Sequence, residues 1–226
     1  MKQKRAFYYE IAYILGIVIL ALGTAFTEKA GFGMSMVVAP AYIIHLKVSE
    51  YLPFFTFGMA EYLFQALLLI ILSVVMRGFK RTYLLSFVTA FIYGMVLDVA
   101  ISIVGLIPLG GTVWHIVFYV SGLIICTFGV ALLLHAHFPP EAYELFVKEL
   151  SQKTNKSIGK IKTVYDYCSC ILGIVLSLLF FGSFVGVKWG TILSTVFNGW
   201  LIHTFSRILE RSFVFTSIKK VRADKL

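Results

Sequence analysis

Six long apolar runs constrain this chain more than any other feature. They cover residues 7–26, 52–76, 82–106, 113–134, 163–185 and 189–209. A hydrocarbon core about 30 Å thick is crossed by about 20 helical residues, and in lipid only a helix or a closed barrel satisfies its own backbone. The runs therefore predict six transmembrane helices. A seventh apolar stretch, Met34–Leu46, is too short to cross and reads as a re-entrant or interfacial helix, with Ser35 a candidate N-cap. After the fourth span, Pro139-Pro-Glu141 opens a short charged helix, Glu141–Leu150. Proline suits its first turn, and Glu141 and Glu144 complement the dipole there. A basic start before an apolar run also has the outline of a signal peptide. The first run is longer than a typical signal h-region, so it is read as a retained helix.

Composition agrees. The chain is 59% hydrophobic with mean hydropathy +0.90, and only 14% of its residues are charged. A net charge of +9 invites a nucleic-acid reading, but placement argues against it. With six spans and an inside N-terminus, 17 of the 20 Lys and Arg fall on the cytoplasmic side, and only Lys29, Lys47 and Lys188 lie outside. The basic residues are topological signals and contacts for anionic lipid, with no nucleic-acid partner. Both termini are expected in the cytoplasm. Cys126, Cys168 and Cys170 sit in apolar runs and read as reduced packing residues.

The chain nearly repeats itself. Ser86-x7-Gly94-x3-Asp98 returns as Thr191-x7-Gly199-x3-His203. Thr56-Phe-Gly58 leading to Gln65 returns as Ser157-Ile-Gly159 leading to Asp166, and Gly23-Thr-Ala25 as Gly129-Val-Ala131. Three matches in one order at a nearly constant offset indicate a duplicated unit. Each half holds three spans, an odd number, so the second half inserts upside down. The expected fold is an all-α membrane protein, a single domain over 1–226. It has two inverted three-helix repeats, 6–106 and 112–209, each with a short extra helix after its first span, and an amphipathic tail over 210–226. Inverted repeats recur in secondary transporters, which bind solute at the midplane between halves.

Ionisable and polar side chains inside spans are costly in lipid and mark candidate sites. Here they are Glu61, Gln65, Asp98, Asp166, Asn198 and His203. Glu61 and Gln65 share a helix face. Asp98 follows Gly94 by one turn and suits a proton, a cation or the counter-charge of a cationic substrate. Asp166 stands near Lys160 and Lys162, where an interfacial ion pair is the simpler role. His203 occupies the Asp98-equivalent position and titrates near neutrality. His135 and His137 lack the spacing for one metal site. No catalytic motif is present: no His-Glu-x-x-His, nucleophile elbow, phosphate-binding glycine loop or paired-carboxylate motif. No enzymatic activity and no cofactor are expected.

The segment Ser157-Ile-Gly159-Lys-Ile-Lys-Thr163 leading to Asp166, with Gly186-x3-Gly190-Thr191 and Gly199, resembles the second half of the YczE/YyaS/YitT group of bacterial integral membrane proteins. Gly23, Gly31, Gly33, Pro40, Gly94 and Asp98 are similar to that group's first half. The likeness covers roughly 15–205. It departs at Phe138-Pro-Pro-Glu141, where the group commonly has a Gly-x-x-Pro-x-Asp-like element. The resemblance implies the fold and the bacterial inner membrane, and supplies no activity. The reading is thus a small secondary-transporter-like carrier of an unknown small molecule or ion. The alternatives are the substrate-binding subunit of a vitamin-type uptake system with an ATPase partner, or a non-transporting scaffold or regulator. A homodimer is a further partner arrangement left open.

Overall fold

The computed structural model describes residues 5–136, 138–156 and 158–217. Eight helices follow one another: α1 (Tyr9–Ala30), α2 (Ala39–Ser49), α3 (Phe57–Met76), α4 (Arg81–Gly105), α5 (Thr112–His135), α6 (Ala142–Thr154), α7 (Ile158–Phe181) and α8 (Trp189–Ser212). The order long, short, long, long therefore occurs twice. Five helices, α1, α3, α4, α5 and α7, are long and apolar enough to cross a membrane. The sixth expected span, α8, is as long but falls outside that set, because Thr191, Ser194, Asn198, His203 and Arg207 interrupt it. Large apolar side chains such as Ile14, Val74, Val99 and Leu179 stand exposed on the long helices, as surfaces facing lipid do.

Small residues set the closest packing. α1 and α5 meet along Gly16 and Gly23 on one side and Gly122 and Gly129 on the other, each pair two turns apart. A Cβ on Gly122 would stand 2.9 Å from the Gly23 carbonyl oxygen, and one on Gly129 would stand 2.6 Å from the Leu20 nitrogen. Only glycine lets the two backbones approach this closely. α3 and α4 close in the same way at Gly58 and Gly94.

The two short helices are exchanged between halves. α2 packs on α7 as well as α3, and α6 packs on α3 and α4 as well as α7. α6 begins beside the middle of α3, where the Ala142 N–H donates to Gln65 Oε1 at 2.9 Å. It ends at the last turn of α3, where the Lys153 ammonium donates to the Val75 carbonyl. The sequence reading treated this helix as a short charged segment after the fourth span; its start is tucked against the middle of α3. The physical reason is local: Ser86 and Thr89 of α4 donate to the carbonyls of Pro140 and Pro139, at 2.6 and 3.2 Å, and hold the entry loop inward.

Three expectations need correction. The first short helix starts at Ala39, with Val38 as its N-cap residue. Ser35 instead closes a preceding turn, its carbonyl accepting from Val38 and Ala39. The segment after residue 210 is not a lone amphipathic end. α8 continues to Ser212, and Phe213–Thr216 (β2) pairs in parallel with Arg5–Tyr8 (β1). Alternation decides this: Phe213 and Phe215 both reach Phe7, at ring distances of 5.2 and 5.7 Å. His137, Ser157 and residues 218–226 lie outside the described residues.

Candidate binding cavity

A cavity of about 1140 Å³ lies between the halves and is lined from both. α1 contributes Thr24, the loop before α2 contributes Ser35, α4 contributes Tyr93 and α5 contributes Cys126. Glu141, Glu144 and Lys148 from α6 and its start, Lys162 and Asp166 on α7, and Asn198, Gly199 and His203 on α8 are among the rest of the lining. The Tyr93 and Thr24 hydroxyls meet at 3.0 Å, fixing both at the wall.

The structure places the six sequence-predicted residues in three groups. Asp166, Asn198 and His203 line the cavity. Asp166 is held by Lys162 one turn earlier, at 3.4 Å. The Asn198 side-chain oxygen is buried without a hydrogen-bonding partner. Glu61 and Gln65 form the second group, directly behind the lining and fully buried. Gln65 Nε2 donates to Glu61 Oε1 at 3.3 Å and to Glu141 Oε2 at 3.2 Å, while Tyr143 donates to Glu61 Oε1 at 2.7 Å. One amide thus ties α3 to the N-terminus of α6.

Asp98 stands apart and does not line the cavity. Its carboxylate accepts from the Thr56 hydroxyl at 2.6 Å and from the Gly58 N–H at 2.7 Å. Thr56 is the N-cap of α3 and accepts in turn from Met59 N–H at 3.1 Å. Asp98 therefore neutralises orphan donors and the positive end of the α3 dipole. Its position suits a latch between α4 and α3. Gly94 permits it by letting the α3 start come close.

Sequence reasoning missed Glu141 as a site residue. Its place at a helix start suggested a dipole partner, yet its side chain makes no cap bond to α6. It is 7% exposed, and Oε1 has no partner. Burial, with Glu144 and Glu61 nearby, pushes its carboxyl well above the usual carboxylate range. An acid directly after two prolines was the available signal: a charge carried on a chain reversal, not on a solvated helix face.

A bundle of apolar helices around a chamber with polar lining points to a helical membrane protein with an internal binding cavity. The chain belongs to the Family of unknown function (DUF6198), whose profile matches residues 7–207. It is also similar to the Uncharacterized protein YyaS of Bacillus subtilis (strain 168), at 31% identity over 206 residues, covering 89% of this chain and 94% of that relative. YyaS is one of the three names of the group that the glycine motifs resemble. No solved structure matches the chain.

Proposed function

We propose that this protein is a small solute carrier of the bacterial cytoplasmic membrane, with six spans, both termini cytoplasmic and two inverted three-helix repeats. The exchange of short helices supports the repeat: α2 rests on the second long helix of the other half, α7, just as α6 rests on the second long helix of the first half, α3. The positive-inside distribution supports the orientation.

One observation carries the carrier reading: the two corresponding seams are unequal. In the first half α3 is packed along α4, and a Cβ on Gly94 would stand 2.7 Å from the Gly58 carbonyl oxygen. In the second half Gly199, the counterpart of Gly94 in the duplication, meets nothing within 4 Å and lines the cavity. Among the described residues α7 and α8 do not pack along one another. One design is thus present in two conditions, sealed at the Asp98 latch and parted at His203. Alternating access requires that difference, and requires it to reverse.

The test is sidedness. Gly199→Cys, in a chain whose three native cysteines are replaced by serine, is exposed to an impermeant maleimide in right-side-out and inside-out vesicles. A carrier is labelled from both faces. A disulfide between Thr56→Cys and Asp98→Cys locks the first seam and leaves labelling from the cytoplasmic face alone. Labelling from one face only in the unlocked chain would overturn the reading, and favours a binding subunit or scaffold.

A further inference from the structure

The carboxylates at the back of the cavity outnumber the groups that answer them. Glu61 and Glu141 share the single Gln65 amide nitrogen, at 3.3 and 3.2 Å. Glu61 Oε2 and Glu141 Oε1 are buried and have no hydrogen-bonding partner. The ion pairs among the described residues are Lys47–Glu50, Lys80–Glu149, His135–Glu210 and Lys162–Asp166, and neither acid takes part in any of them. The N-terminus of α6 supplies roughly half a positive charge, which cannot balance two carboxylates. A buried pair of this kind holds a proton or a cation.

Only one of the two free oxygens belongs to a cavity-lining residue, Glu141. On one side of it the cavity wall is apolar: Leu20, Val130, Leu133 and Leu134 line the cavity with it and share a side recess with Pro140, Glu141 and Glu144. An acceptor without a donor, next to an apolar shelf, describes the complement of an amine carried on a hydrophobic body. We propose that the cavity binds an amphipathic organic cation, whose primary or secondary ammonium donates to Glu141 Oε1 while its apolar part lies on that shelf. This names the substrate class of the carrier described above and rests on the same cavity. A proton and the amine compete for one carboxylate. The titratable groups facing Glu141 are Tyr13 from α1, Glu61 from α3, Tyr93 from α4, Cys126 from α5, and Tyr143 and Glu144 from its own helix. All are acids or neutral; of the two lysines that line the same cavity, Lys162 is paired with Asp166 at 3.4 Å, and among the described residues neither it nor Lys148 forms an ion pair with Glu141.

The test is equilibrium binding to the purified full chain in detergent, by calorimetry, with phenethylamine, neutral phenethyl alcohol and anionic hydrocinnamate. Phenethylamine binds saturably. Its affinity drops by about tenfold per unit as pH falls below the Glu141 pKa, as simple proton competition requires. The other two bind at least about tenfold more weakly, the ratio a single charged contact sustains. Glu141→Gln, which keeps the shape and can still accept from Gln65, abolishes amine binding; Glu50→Gln, at an exposed ion pair, leaves it intact. A readout on the unmutated chain stands beside these. Dicyclohexylcarbodiimide attaches to the protonated Glu141 carboxyl, located by peptide mass spectrometry, and phenethylamine slows the attachment. Equal binding of the alcohol or the anion, unchanged amine binding by folded Glu141→Gln, or no amine binding together with no protection would each overturn the proposal. Amine binding with one-sided labelling of Gly199→Cys retires the carrier and keeps the cation site. Two-sided labelling without amine binding does the reverse.

Discussion

Adding one methyl group at each of two related glycines should move stability in opposite directions. At Gly94, a Cβ would stand 2.7 Å from the Gly58 carbonyl oxygen and 3.0 Å from the Tyr62 ring. Ordinary contact begins near 3.4 Å, so α3 and α4 must part by about 0.7 Å. Overpacking of that kind costs about 1–3 kcal/mol. The same movement stretches the two bonds to Asp98, now 2.6 and 2.7 Å, each worth about 1.5–3 kcal/mol when intact. Alanine's better helix propensity returns about 1 kcal/mol. Gly94→Ala should therefore lose about 2–4 kcal/mol. Gly199→Ala meets open space within its helix and should gain about 0.5–1 kcal/mol from propensity alone. The assay is unfolding of purified protein in mild detergent titrated with dodecyl sulfate, followed by circular dichroism. A spread of about 2.5–5 kcal/mol between the variants is expected, or roughly 5–20 °C in a thermal melt of a chain this size. Equal shifts, or a neutral Gly94→Ala, would refute the unequal seams and the carrier argument built on them.

Further measurements bear on the other elements. Asp98→Asn replaces an acceptor-only carboxylate with an amide that can answer only one of its two donors; stability should fall by about 1–3 kcal/mol in the same assay, with phenethylamine binding retained. The wild type should lose stability as pH rises from the unfolded carboxyl pKa, about 4.3, through the raised folded value of Glu141. The sign follows because folding favours the protonated form, so Glu141→Gln should flatten that part of a melting-temperature profile. Phe215→Ala removes a ring stacked on His135 at 4.7 Å and should cost about 1–2 kcal/mol, with faster amide exchange in β1 and β2.

The chain's own order determined the long helices, because their boundaries are written in runs of about twenty apolar residues closed by glycine, proline and basic clusters. It also marked Gly94 as a point of close helix approach, while Gly23 and Gly129, read only as markers of the repeat, prove to be such points as well. Polarity inside apolar runs singled out Glu61 and Gln65 as candidate site residues, and both prove fully buried, because an ionisable group in a span has to find company. What that company is depends on contacts between residues far apart in the chain. Gln65 and Glu141 lie 76 positions apart, and no local pattern foretells that one amide joins them. Asp98 looked like a site because its neighbours in sequence are apolar; the start of α3, folded against it, supplies two donors and makes it a latch. Glu141 looked like a dipole partner because it begins a helix; only the placement of that helix start beside the middle of α3 buries its carboxylate and leaves one oxygen unanswered. The pairing of β1 with β2 escaped the sequence for the same reason, since four-residue strands carry too few side chains to signal a partner about two hundred positions away.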